Sequence, residues 1–229
     1  MKILPEQMRL YAVTDRTWLH GRNLIDVVSE AIDGGATFVQ LREKSHLESL
    51  DGGVTMLQLR EKTLEEGAFL EEARALQALC RERHVPFIVN DNVDIARAMG
   101  ADGVHVGQED MAAKKARALL GPDKILGVSA HNPEEARKAQ EDGADYLGCG
   151  AAFVTGTKLD AKPITAEMMK AVTESVEIPV VAIGGITEDN IPKLTGRGLA
   201  GAAVVSAIFA AEDPRKASER LLEKIRQWE

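Results

Sequence analysis

Short, continuously apolar runs alternate along the chain with longer stretches whose apolar positions recur at helical spacing. The runs Arg9–Val13, Phe87–Asn90, Gly103–Val106, Ile125–Ser129, Tyr146–Gly148, Val180–Ile183 and Ala202–Val205 predict strands. They are solidly apolar rather than alternating, as parallel strands covered on both faces require. Leu64–His84 is the longest helical stretch, with Leu64, Ala68, Ala75, Leu76 and Leu79 available for one face. Glycine-containing stops precede the strands at Gly34-Gly35, Gly100-Ala101-Asp102-Gly103, Gly143-Ala144-Asp145 and Gly198-Leu199-Ala200-Gly201. Glycine after a helix accepts the left-handed backbone that turns the chain back towards a sheet. Eight strand–helix units would average about 29 residues each, room for a short strand, a helix and two loops. The pattern predicts an α/β chain whose residues 1–229 form a single (β/α)8 TIM-barrel domain; an open doubly wound sheet is the alternative.

One segment breaks the regularity. Residues 33–50, DGGATFVQLREKSHLESL, and 51–68, DGGVTMLQLREKTLEEGA, align without gaps and agree at ten of 18 positions. Only 13 residues separate Leu41 from Thr55, near the lower limit for a parallel crossover. A ninth strand would also disturb the linked strand number, tilt and stagger of a barrel. The expectation is therefore one barrel strand and one insertion. Val54–Lys62 is the favoured strand, because it runs into Thr63-Leu64-Glu65-Glu66, a capping-box opening for the long helix. Ala36–Lys44 is the competing choice.

Composition narrows the function. With 28 basic and 36 acidic residues, the net charge of −8 supplies no overall field for nucleic acid or an anionic membrane. No apolar run reaches the length of a signal peptide or membrane span, and two cysteines make no disulfide framework. A cytoplasmic protein handling small molecules is expected, with self-association left open. In a parallel barrel the loops after the strands form the active rim. Polar residues gather at those positions: Thr14-Asp15, Gln58, Arg60, Lys62, Asn90-Asp91, Gln108, Asp110, Ser129, His131, Thr155, Thr157, Lys158, Gly184-Gly185 and Ser206.

Strand alternation puts Gln58, Arg60 and Lys62 on one side, with Leu59 and Glu61 on the other. Inward cations at a barrel mouth call for an anionic ligand, or else for a structural carboxylate partner. Asp91 and Asp110, after consecutive strands, suit Mg²⁺ shared with substrate oxygens; helix capping is the competing use of Asp91. Thr155-Gly156-Thr157-Lys158 is able to wrap an anion, and Gly184-Gly185 with Val205-Ser206 falls where this fold commonly holds phosphate. His131 is compatible with substrate orientation, a helix start or the surface, while His105 and Cys149 fall within strands and read as buried. No nucleophile elbow is present.

The ordered set Gln58-Leu-Arg-Glu-Lys62, Val89-Asn-Asp91, His105-Val-Gly-Gln-Glu-Asp110, Gly127-Val-Ser129, Gly148-Cys-Gly150, Thr155-Gly-Thr-Lys158, Ile183-Gly-Gly-Ile186 and Val204-Val-Ser206 closely resembles the thiamine-phosphate synthase family. The resemblance covers nearly the whole chain except the extra 18 residues. It implies a (β/α)8 transferase that joins 4-amino-2-methyl-5-hydroxymethylpyrimidine diphosphate to thiazole phosphate, releasing pyrophosphate. It further implies that Gln58, Arg60, Glu61, Lys62, Asn90, Ser129 and Lys158 hold the pyrimidine diphosphate, with Arg60, Lys62 and Lys158 assisting the leaving group. Asp91 and Asp110 would bind Mg²⁺, while Thr155, Thr157, Gly184, Gly185, Val205 and Ser206 would hold the thiazole phosphate. Val154 replaces a proline common in the family, and Ala200 replaces the aspartate of its usual Gly-Ala-Asp-Gly. A related thiazole tautomerase and a barrel inactivated by the duplication are the other readings.

Overall fold

Leu10–Val13 (β1) begins a parallel sheet that continues through Phe38–Leu41 (β2), Met56–Leu59 (β3), Phe87–Asn90 (β4), Gly103–Val106 (β5), Ile125–Ala130 (β6), Tyr146–Gly150 (β7), Val180–Ile183 (β8) and Gly201–Val204 (β9). β9 returns to pair with β1, so the sheet closes in sequence order. Helices between and after the strands are Leu24–Asp33 (α1), Glu66–Glu82 (α2), Val93–Ala98 (α3), Ala113–Leu120 (α4), Pro133–Glu141 (α5), Ala166–Glu174 (α6), Ser206–Phe209 (α7) and Pro214–Arg226 (α8). This computed structural model describes residues 3–41, 55–60, 66–82, 84–154 and 163–228. The closed parallel α/β barrel agrees with the sequence reading, and the longest expected helix is present as α2.

The strand count does not agree. Both copies of the duplicated segment are barrel strands, so the barrel has nine strands and the expectation of one strand plus an insertion is corrected. The two copies lie side by side in the repeat's own register: Phe38 faces Met56, Val39 faces Leu57, Gln40 faces Gln58 and Leu41 faces Leu59. The register explains the outcome. Each copy has the same alternation, so each sends one apolar pair outwards to the helices and presents Phe38 and Gln40, or Met56 and Gln58, to the lumen. A strand left outside the sheet would carry unpaired backbone groups beside buried apolar side chains; insertion satisfies both. The connection between these strands, residues 42–54, lies outside the described residues.

Two apolar layers result. Val39, Leu57, Val89, Val104, Leu126 and Leu147 face the helices, whereas Tyr11, Phe38, Met56, Ile88, Ile125 and Tyr146 fill the lumen. Barrel diameter grows with strand number, so a nine-stranded lumen needs bulky contents. Aromatic rings supply them: Tyr11 stacks on Phe38 with centroids 3.8 Å apart, and Phe38 meets the Tyr146 ring edge-on at 6.4 Å.

At the lower rim, a short polar residue before each of several strands ties it to its neighbour. Asp102 accepts from the Phe87 N–H at 2.9 Å and Asp145 from the Leu126 N–H at 2.8 Å. Their own backbone N–H groups donate back to the carbonyls of Phe87 and Leu126. Thr37 makes the corresponding bond to Leu10. Before β9 the same position is Ala200, whose N–H donates to the Val180 carbonyl at 2.8 Å but whose side chain accepts nothing. Ala200→Asp should therefore complete the rim by accepting from the Val180 N–H, and is expected to raise unfolding free energy by about 1 kcal/mol in urea denaturation. Unchanged or lower stability would show that this edge lacks the geometry of its two counterparts.

Candidate active site

The lumen mouth is built around an unusual polar layer. Gln40 Nε2 donates to Tyr11 Oη at 3.0 Å and to Gln58 Oε1, and Gln58 Nε2 donates to Tyr146 Oη at 3.4 Å. Tyr146 Oη lies 2.9 Å from His105 Nδ1, and His105 Nε2 lies 3.1 Å from Ser129 Oγ. Six side chains from six strands thus form one chain of hydrogen bonds across the barrel. Its direction follows from the donors. Tyr146, accepting from Gln58, places its own proton on His105 Nδ1; His105 is then the Nε2–H tautomer and donates to Ser129. The Ser129 hydroxyl proton remains to be donated elsewhere.

Burial keeps this chain neutral. It pushes the His105 imidazolium down to about 4, with nearby Asp110 acting upwards and Arg60 downwards. Burial likewise drives the Tyr146 phenol well above its ordinary range. Gly127 is required beside the pair: a Cβ there would stand 2.3 Å from Tyr146 Cζ and 2.4 Å from His105 Nδ1. Glycine in this strand is what lets the Tyr146 ring cross the lumen to His105.

Several expected site residues meet at the upper end of this layer. Arg60 and Asp110 both act on His105, Ser129 is bonded to it, and Asn90 is its register partner on β4. Asp91 follows β4 and donates its backbone N–H to the His105 carbonyl at 2.8 Å. Its backbone is left-handed, with φ of 65°. Helix α3 is capped by Asn92, whose side chain accepts from the Ile95 N–H at 2.9 Å, so capping is not the role of Asp91. Asp110, after β5, accepts from the Gly107 N–H at 2.6 Å.

These oxygen donors fit Mg²⁺. No group of three or more His, Cys, Asp or Glu side chains assembles among the described residues. Two carboxylates on adjacent strand ends are the kind of incomplete, hard-oxygen set that Mg²⁺ completes with water and phosphate oxygens.

On the opposite arc, the turn after β8 is clamped to the loop after β7. Ala152 donates to the Ile183 carbonyl at 2.8 Å and Phe153 to the Gly184 carbonyl at 3.0 Å. A Cβ on Gly185 would come within 2.3 Å of the Val154 carbonyl, and this residue has φ of 64°. The close approach and the left-handed backbone together account for the glycine. Val205 and Ser206 lead into α7 on the neighbouring strand. Glu61, Lys62, Thr155, Thr157 and Lys158 lie outside the described residues.

Other expectations resolve simply. His131 is an exposed helix-start residue, its Nδ1 2.9 Å from Glu135, and Asn132 caps α5. Cys149 is buried, which pushes its thiol up to about 12 and leaves it unreactive at neutral pH. Sequence reasoning did not foresee Tyr11, Gln40 and Tyr146 as members of a polar layer. The available signal was Gly127, a glycine inside an apolar strand, which marks close approach by something large.

A family model described as thiamine monophosphate synthase matches residues 45–208, a span that contains the second copy of Gln-Leu-Arg-Glu-Lys and not the first. Thiamine-phosphate synthase of Methanobrevibacter smithii is 51% identical over 219 residues, covering 96% of either chain. That of Alkaliphilus oremlandii is 48% identical over 217 residues, covering 95% of either chain. Among solved structures, thiamine phosphate pyrophosphorylase from Pyrococcus furiosus aligns over 99% of both chains with a TM-score of 0.75 and 38% identity.

Proposed function

The chain belongs to the thiamine monophosphate synthase family, and from that premise we propose how its barrel mouth performs the transferase reaction. The reaction joins 4-amino-2-methyl-5-hydroxymethylpyrimidine diphosphate to thiazole phosphate, giving thiamine phosphate and pyrophosphate. One observation carries the assignment of the site: the charges of Arg60 and Asp110 both act on the same buried, neutral His105, whose carbonyl accepts from the Asp91 N–H. In this reading a cation and carboxylates share one edge of the lumen, where a diphosphate needs both.

In this reading Asp91 and Asp110 hold Mg²⁺, which when bound neutralises charge on the diphosphate. Arg60, with Lys62 and Lys158 as the family resemblance implies, binds the diphosphate oxygens and favours the negative charge that develops as the methylene–oxygen bond breaks. Asn90, Ser129, Glu61 and the Gln58 layer define the pyrimidine end of the pocket. The aminopyrimidine ring delocalises the resulting positive charge. Thr155, Thr157, Gly184, Gly185, Val205 and Ser206 hold the thiazole phosphate, so that the thiazole nitrogen captures the methylene at close range. Burial keeps His105 and Tyr146 neutral near pH 7, so neither adds a charge of its own beside the leaving group. No helix among the described residues is long and apolar enough to cross a membrane, and we assign the enzyme to the cytoplasm as a small-molecule catalyst.

Mixing the protein with both substrates and Mg²⁺ should release pyrophosphate in step with thiamine phosphate. Chelation should stop the reaction and added Mg²⁺ should restore it. Absence of pyrophosphate under these conditions would leave only a tautomerase or an inactive barrel.

A further inference from the structure

The two copies of the repeated glutamine stand in register at one level of the lumen, yet they are not equivalent. Gln58 is 0% exposed, its amide oxygen is taken by Gln40 and its amide nitrogen by Tyr146. Gln40 keeps 8% exposure. Both hydrogens of its Nε2 are committed, one to Tyr11 Oη and one to Gln58 Oε1. Its Oε1 has no partner among the described residues and is not a sealed atom. The duplication has therefore produced one buried amide held at both ends, and one amide fixed through its nitrogen with a carbonyl acceptor left at the mouth.

We propose that Gln40, contributed by the first copy, is the substrate-facing amide of this enzyme, and that its Oε1 accepts a hydrogen bond from the exocyclic amino group of the aminopyrimidine. Gln58 becomes a positioning residue. By accepting from Gln40 Nε2 it prevents the Gln40 amide from flipping, so that an acceptor and never a donor points to the ligand. A fixed acceptor on a nearly buried side chain favours a ligand bearing an N–H and penalises one that lacks it, because the oxygen is then left unpaired. This inference rests on the synthase reading and assigns recognition to the copy outside the span matched by the family model.

Calorimetric binding of 4-amino-2-methyl-5-hydroxymethylpyrimidine monophosphate and of its deamino counterpart tests the division of roles. The unmodified protein should prefer the amino compound by about ten- to a hundred-fold. Gln40→Met should reduce that preference to within about two-fold, whereas Gln58→Met, which frees the Gln40 amide to turn against the Tyr11 hydroxyl but leaves it in place, should weaken both ligands and lower the preference only in part. If Gln40→Met does not fold, Gln40→Asn keeps an amide in the layer but withdraws its carbonyl, and the same loss of preference is expected. Preference lost in Gln58→Met and kept in the Gln40 variants, or kept in all of them, would overturn the assignment. So would the absence of any preference in the unmodified protein. These outcomes leave pyrophosphate release by the unmodified protein intact; its failure would instead remove the synthase reading.

Discussion

Asp91→Asn is expected to lower kcat/KM for thiamine phosphate formation by about 10²–10³-fold and to raise the Mg²⁺ concentration needed for half-maximal rate. Asparagine is the informative replacement. The backbone at this position is left-handed, with φ of 65°, and asparagine tolerates that region at least as well as aspartate. The helix that follows keeps its cap because Asn92, not Asp91, supplies it. The Asp91 N–H bond to the His105 carbonyl is made by backbone and survives the change. What is lost is one negative charge, so the melting temperature should stay within about 2 °C while turnover collapses. Steady-state kinetics across a Mg²⁺ titration measure both effects. An unaltered rate with an unaltered metal response would show that Asp91 has no part in the chemistry.

Acid should weaken the fold through His105 before it touches most of the surface. In the unfolded chain this imidazole takes up a proton near pH 6.5, whereas in the lumen burial holds it neutral until about pH 4. Between those values the unfolded state binds more protons, so stability falls as pH drops from 6.5 towards 4, and is unaffected by this group above 7. By pH 4.5 the loss amounts to about 2–3 kcal/mol. Urea denaturation of the unmodified protein and of His105→Gln at pH 7 and pH 4.5 isolates the contribution, since other acid-sensitive groups are common to both. The difference in unfolding free energy between the two pH values should be smaller in the variant by that amount. Equal differences would mean that the imidazole is not held neutral in the folded protein. The same reasoning predicts that turnover near neutral pH shows no titration belonging to His105.

The strand pattern was legible because parallel strands covered on both sides must be solidly apolar, and Phe87–Asn90, Gly103–Val106 and Val180–Ile183 appear where the pattern placed them. The rim was legible for a related reason. Asn90, Asp91, Asp110 and Ser129 are polar residues at or just beyond the upper ends of apolar strands, a position with no packing use for them. His105 was read as a buried residue, core or lumen, from its place inside β5, but its partner Tyr146 read only as the apolar start of a strand. A tyrosine hydroxyl reaching across a barrel depends on which strands face one another across the lumen, which local spacing does not encode.

By itself the sequence determined the parallel α/β architecture, the duplication and the family, since all three are written in local periodicity and ordered motifs. Only the tertiary structure decided how many strands the barrel has. Crossover length argued for eight, but two copies with identical alternation each satisfy the sheet's hydrogen bonds and both apolar faces, and closure accepted the ninth. The same closure set Gln40 against Gln58 and made two identical residues unequal. Their difference lies in which neighbours the ring brings to each amide, and that is a property of the assembled barrel.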